Sequence, residues 1–253
     1  TILLMCAVFI PGLGVERNGA QRWLEIPPLP RFQPSEFAKV AFIAFLALVL
    51  AGKDEGKHSE RRAWITVAGT TAVMVLLLML QSDQGMATIF VLIALAMAFL
   101  AGADLRWLGG IAALLFAAFL GFARMEPYRW ARITGFLHPE SDPDDTTYQI
   151  IRMLIALARG GFSGRFLGLS PDKWNMLPEP HTDSIFSVIG GELGLLGGVA
   201  LLAALAWLTR QALDIARRSN SVYGFHLAAG CAAALGIQSM LHIAVNTSSV
   251  PCT

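Results

Sequence analysis

Six stretches of this chain, roughly 35–52, 63–81, 86–103, 107–125, 184–208 and 222–245, approach the length and apolarity of bilayer spans, and a shorter apolar run fills 1–11. A spanning helix needs about 20 mostly apolar residues. No other feature restricts the fold as much. Inside lipid every backbone N–H and C=O must find its partner within the protein, so apolar runs of this length are helices. The alternating ten-residue pattern of an outer-membrane barrel is missing. Very short loops between the middle spans predict antiparallel neighbours. Composition agrees, with 55% hydrophobic and 15% charged residues against about 25% charged in soluble domains. The expected fold class is therefore an all-α polytopic integral membrane protein. One transmembrane domain is expected over 1–253, with about seven spans, the first partial, and a long extracytoplasmic loop at 126–183.

Several function classes fall away at once. A net charge of +1 gives no bulk electrostatic attraction for nucleic acid. Cys6, Cys231 and Cys252 lie in or beside apolar runs without ligand spacing, so neither a disulfide framework nor a zinc site is expected. The opening apolar run lacks the basic region of a signal peptide. Both ends read as cut, and the expectation is a piece of a longer polytopic protein.

Orientation follows from the basic residues of the short loops. Lys53, Lys57, Arg61 and Arg62, then Arg106, then Arg210, Arg217 and Arg218 fall on one side when spans are counted. That side is assigned as cytoplasmic. The outer side then carries NGAQRWLEIPPLPRFQ, the QSDQG turn, the 126–183 loop and NTSSVPCT. Within the long loop, IIRMLIALARGGFSGRFLG has apolar residues at helical spacing with Arg152, Arg159 and Arg165 between them. This pattern suits a helix that lies at the interface or re-enters the membrane region.

Ionisable groups near lipid are costly, and each asks for a reason. In RFQPSEFAKVAF, Pro34 suits the first turn of a helix. Glu36 and Lys39 are spaced to pair on one face. That pair can be no more than charge masking. Alternatively, Arg31 and Lys39 form a cationic cluster at the outer surface suited to a pyrophosphate. Asp83 reads as the N-cap of the helix that follows. Glu192 lies inside a span and must face the protein interior or water. His242 and Asn246, four residues apart, read as a hydrogen-bonded packing pair. The segment WNMLPEPHTDSIF is the most informative, because Glu179, His181, Thr182 and Asp183 crowd the junction of the outer loop with a span. Thr182 or Asp183 can cap the helix from Ser184, yet capping accounts for one residue of the four. A carboxylate at a water–lipid boundary can serve as general base toward a sugar hydroxyl.

These segments together resemble the SEDS family (shape, elongation, division and sporulation), the polytopic peptidoglycan glycosyltransferases of FtsW and RodA type. NGAQRW resembles NGAxRW, RFQPSEFAK resembles QPSExxK, and QSDQG stands where QPDxG is usual. DPDDTTYQ and LPEPHTDSIFSVIGGELGLLGG follow in the family's order. Ser82 replaces the usual Pro, Ser184 a common Phe, and Gly191 the first of two glutamates. VIGGELG is slightly nearer the FtsW form. The resemblance implies lipid II as substrate, inverting glycosyl transfer on the outer face of the bacterial cytoplasmic membrane, and undecaprenyl pyrophosphate as leaving group. It implies Asp183 as the catalytic acid residue, assigned here as base toward the acceptor 4-hydroxyl. Arg31, Lys39, Glu179 and His181 are the expected substrate-binding residues, and Glu36, Asp83, Glu192 and Asn246 the structural or tuning ones. A class B penicillin-binding transpeptidase is the implied partner, together with division or elongation machinery and membrane lipid.

No cofactor is expected; a divalent cation at the pyrophosphate stays open, with no dedicated carboxylate cage evident in the sequence. Two other classes remain as alternatives: a flippase for lipid-linked precursors, and a non-catalytic scaffold. A transporter places its charges near the midplane on paired half-helices, whereas here they gather on the outer side.

Overall fold

Helix ends set the frame of this protein. The computed structural model describes residues 2–10, 12–17, 20–25, 31–125, 134, 148–165 and 183–250. These belong to two compact units, Thr1–Leu108 with Thr209–Ile237, and Gly109–Leu208 with Gln238–Thr253.

In the first unit, α1 (Ile2–Cys6) runs into a 3₁₀ turn (Ala7–Phe9), followed by strands β1 (Gly14–Arg17) and β2 (Ala20–Leu24). The strands pair antiparallel, Val15 opposite Trp23, with a bulge between Val15 and Glu16. This hairpin is an addition to the all-helical expectation. Its signal was the Asn-Gly pair between the strands in the sequence, which two-residue hairpin loops favour. Helices α2 (Pro34–Asp54), α3 (Glu60–Leu80) and α4 (Gln84–Leu100) follow, close to the expected spans. α2 buries Phe42, Leu46 and Leu50 at i, i+4 spacing while Phe37, Val40, Phe45 and Leu48 stay exposed. A helix apolar on all sides is what a lipid solvent requires. Phe42 meets Phe90 of α4 with ring centroids 5.0 Å apart.

Left-handed residues close these helices. At the end of α2, Gly56 has φ +72°, and Lys57 N–H returns to Gly52 C=O at 2.8 Å. At the end of α3 the same position falls to Ser82, φ +57°. There Asp83 N–H reaches Leu78 C=O at 2.9 Å and Ser82 N–H reaches Met79 C=O at 3.1 Å. These are the paired bonds of a Schellman motif, which satisfies carbonyls that the helix end would otherwise orphan.

The second unit holds most of α5 (Leu105–Met125), all of α6 (Tyr148–Gly160), the first part of α7 (Ile185–Arg217) and the end of α8 (Val222–Asn246). α6 is the amphipathic helix expected within the long loop, and it buries Ile150, Met153, Ala156 and Gly160. Met153 and Ala156 pack with Val188 and Val245. α7 departs from the expected single span 184–208 in two ways. It continues to Arg217, so Arg210 lies on a helix rather than in a loop, and it is broken at Gly194 (φ 66°, ψ −166°). The break frees two N–H groups, which α6's terminal turn satisfies: Leu195 N–H donates to Gly161 C=O at 2.9 Å and Leu196 N–H to Phe162 C=O at 3.3 Å. Such close backbone approach demands glycine. A Cβ on Gly160 would lie 1.9 Å from Gly190 O, and one on Gly194 2.4 Å from Gly164 N.

Candidate functional site

In the first unit, polar groups gather around the α3–α4 turn. Asp83 caps α4, its Oδ1 accepting Met86 N–H at 3.1 Å, as the sequence suggests. Its Oδ2 accepts from Gln33 Nε2 at 2.8 Å. Arg22 of β2 brings Nη1 to 3.8 Å from Oδ1 and donates from Nη2 to Ser82 C=O at 2.9 Å. Asp83 is only 4% exposed. Burial pushes its carboxyl above the ordinary range, and the Arg22 charge with the Met86 and Gln33 hydrogen bonds only partly offsets this. Residues from the NGAQRW, RFQPSEFAK and QSDQG segments thus meet at one carboxylate. Arg22 and Gln33 were not among the sequence candidates. Their positions inside quoted motifs were the available signal.

Lys39 is buried, and its Nζ lies 2.7 Å from Glu36 Oε2, the local pair that the spacing predicts. Arg31 is largely exposed and forks onto Glu25, Nε to Oε2 at 3.0 Å and Nη2 to Oε1 at 3.3 Å. Each expected cation of the outer cluster therefore carries its own carboxylate. A ligand anion there must compete with Glu25 for Arg31. A further polar cluster, absent from the sequence candidates, closes the opposite end of α2. Lys53 Nζ donates to Ala101 C=O at 2.6 Å, lies 3.1 Å from Asp54 Oδ1 and sits over the Trp64 ring. Asp54 Oδ2 is 2.7 Å from Nε2 of the buried His226.

In the second unit, Asp183 stands exposed at the head of α7. Among the described residues its carboxylate receives no hydrogen bond, so it does not act as the local cap that one reading of the sequence expected. Its backbone carbonyl accepts from Asn246 Nδ2 at 2.7 Å. Asn246 also bonds His242, but through the backbone carbonyl at 2.9 Å, so the expected pair uses no imidazole. Glu192 is buried, facing inward as its place in a span requires. Glu179, His181 and Thr182 lie outside the described residues, as does most of the 126–183 loop. Among the described residues no group of three His, Cys, Asp or Glu side chains is placed to hold a metal ion.

Four helices, α2, α3, α7 and α8, are long and apolar enough to cross a membrane, and α4 with the first part of α5 are shorter apolar helices. Helices of membrane length define a multi-pass integral membrane protein. A family model described as cell cycle protein, covering FtsW, RodA and SpoVE, matches residues 1–253. The chain belongs to this family, whose members sit in the bacterial inner membrane. It is 37% identical over 250 residues to the stage V sporulation protein E of Bacillus subtilis, covering 99% of this chain and 68% of that protein. It is 34% identical over 251 residues to a probable peptidoglycan glycosyltransferase FtsW of a Geobacter species, covering 99% and 68%. Among solved structures, one reporting the coordination of polymerization and crosslinking by a peptidoglycan synthase complex matches with TM-score 0.79 at 27% identity. That match covers 100% of this chain and 69% of the other. The chain thus spans about two thirds of these relatives' length.

Proposed function

We propose that this chain polymerises lipid II into glycan strands on the outer face of the cytoplasmic membrane, for division or cell shape, with Asp183 as general base. The chain is an enzyme of the peptidoglycan glycosyltransferase class. In the proposed step Asp183 takes the proton of the acceptor's 4-hydroxyl as that oxygen attacks the donor's anomeric carbon. The donor's bond to undecaprenyl pyrophosphate breaks on the opposite face, so the configuration inverts and the electron pair leaves with the pyrophosphate. Arg31 and Lys39 stabilise that leaving charge, a role assigned from their charge. Glu36 holds Lys39, Glu179 and His181 are assigned to substrate binding, and Asp83 and Glu192 keep their helices in place. A class B penicillin-binding transpeptidase is the proposed partner.

The observation that carries this reading is the Asp183 carboxylate, exposed at a helix head and spared from capping. A structural aspartate there would bond the helix N–H groups. The test is lipid II polymerisation in detergent, with and without the transpeptidase, wild type beside Asp183→Asn, glycan chains resolved on a gel. Polymer from wild type alone, with a folded mutant, is expected. Equal polymer from both would remove Asp183 as the base. No polymer from either would turn attention to lipid II translocation.

A further inference from the structure

A cavity of about 150 Å³ opens where α2 ends and α3 begins, lined by Val49, His58, Arg62, Ala63 and Thr66. All five residues belong to the first compact unit. That volume has room for about five waters at ~30 Å³ each. Val49 lies five residues before the end of α2 and Thr66 six after the start of α3, or about 8–9 Å from the helix ends at 1.5 Å per residue. The headgroup zone of a bilayer has a similar depth, about 5–8 Å on each side. Lys53, Lys57, Arg61 and Arg62 assign this end to the cytoplasmic leaflet.

The charges at this end are unevenly satisfied. Lys53 pairs with Asp54, Lys57 with Glu55, and Asp54 also meets His226. Glu60, in the first turn of α3, accepts from Trp64 Nε1 at 3.3 Å. Residues 60 and 62 stand about 200° apart around a helix, so Glu60 is turned away from the cavity. The exposed Arg62 guanidinium meets no carboxylate among the described residues. The His58 ring lines the same cavity and is fixed there. Lys57 and His58 N–H both donate to Gly52 C=O, at 2.8 and 3.1 Å, and a Cβ on Gly52 would lie 2.6 Å from His58 Cδ2. Neither imidazole nitrogen has a hydrogen-bond partner among the described residues, so the ring has an N–H to donate.

From this geometry we infer that the cavity holds the phosphate of an anionic glycerophospholipid of the cytoplasmic leaflet. Arg62 offers its fork of donors to the phosphate oxygens, and His58 adds another. Val49 and Ala63 supply apolar walls. Leu48 and Ile65, chain neighbours of Val49 and Thr66, are 60% and 61% exposed and give the acyl chains an apolar surface to follow toward the membrane interior. A soluble phosphate gains nothing from those surfaces. Basic pockets between membrane helices on the cytoplasmic side suit anionic headgroups in general.

The test titrates the full-length protein, in a neutral detergent, with phosphatidylglycerol, with phosphatidylcholine of the same acyl chains, and with glycerol 3-phosphate. Native mass spectrometry counts the molecules retained. About 0.5 M ammonium acetate screens exposed charges beyond about 4 Å. Wild type is expected to retain one phosphatidylglycerol at least about tenfold more tightly than either other probe. Arg62→Gln should weaken that binding by about tenfold or more. Arg61 carries the same charge about 100° round the helix and does not line the cavity, so Arg61→Gln should change binding less than about twofold. Thr66→Phe fills the cavity without altering charge and should also abolish retention, which keeps the test open if Arg62→Gln does not purify as a monodisperse protein. Equal losses from Arg61→Gln and Arg62→Gln would mean diffuse surface attraction and overturn the inference. So would equal retention of phosphatidylcholine, glycerol 3-phosphate binding as tightly as the lipid, or full retention by Thr66→Phe.

Discussion

Replacing Gly160 by alanine reverses the usual sign of such a change. In a helix, alanine is favoured over glycine by about 1 kcal/mol, so the substitution would ordinarily stabilise α6. At this position the new Cβ would lie 1.9 Å from Gly190 O and 2.9 Å from Gly191 Cα, where ordinary contact begins at 3.4 Å. Both neighbours are backbone, which cannot turn aside as a side chain does, so α6 and α7 must part by about 1.5 Å. That movement stretches the Leu195–Gly161 and Leu196–Phe162 hydrogen bonds, now 2.9 and 3.3 Å, beyond bonding distance. Each bond lost contributes about 0.5–1.5 kcal/mol, and an orphaned buried donor costs more. The net expectation is destabilisation by about 2–4 kcal/mol, or a Tm lower by about 5–10 °C at the scaling for domains of this size. The control is Gly69→Ala in α3, where a Cβ meets nothing within 4 Å and the propensity gain of up to about 1 kcal/mol should appear unopposed. Thermal unfolding in detergent, followed by tryptophan fluorescence, reads both. If Gly160→Ala melts at or above the wild type while Gly69→Ala rises, the backbone-to-backbone docking of α6 on the α7 break is wrong.

Two further expectations concern the α3–α4 turn. Burial raises the Asp83 carboxyl above its unfolded value of 3.8, so the folded state binds the proton more tightly. The ionised form therefore weakens stability at neutral pH, and the loss is recovered as pH falls through the raised value toward 3.8. The Tm of wild type minus that of Asp83→Asn should increase as the pH is lowered from neutral toward 3.8, and a flat or falling difference would refute the assignment. Ser82 holds φ +57°, which proline cannot adopt, and donates its N–H to Met79 C=O, which proline lacks. Ser82→Pro, the residue usual in related motifs, should thus cost roughly 3 kcal/mol or more, while Ser82→Gly should be neutral or stabilising by up to about 1 kcal/mol. A Ser82→Pro variant that melts like wild type would exclude the left-handed turn.

The helical class, the apolar runs that become the long helices and the cap at Asp83 were legible in the sequence, because each follows from neighbours a few residues apart. Hydrophobic length fixes a span, and an Asp before a helix fixes its own cap. The Glu36–Lys39 pair was legible for the same reason, being one helical turn apart. Contacts between residues distant in the chain were not legible there, because they depend on how the helices fold together. Asn246 could not be known to hold the Asp183 carbonyl from a reading in which its nearest partner was His242. Arg22 and Gln33 could not be known to converge on Asp83, and Glu25 could not be known to occupy Arg31. The break at Gly194 was hidden within an apolar run whose composition suits one unbroken helix. It exists because the α6 turn supplies carbonyls to the N–H groups that the break releases. Hydropathy records how much of a helix lipid accepts, but not where another backbone comes close enough to replace the helix's own hydrogen bonds.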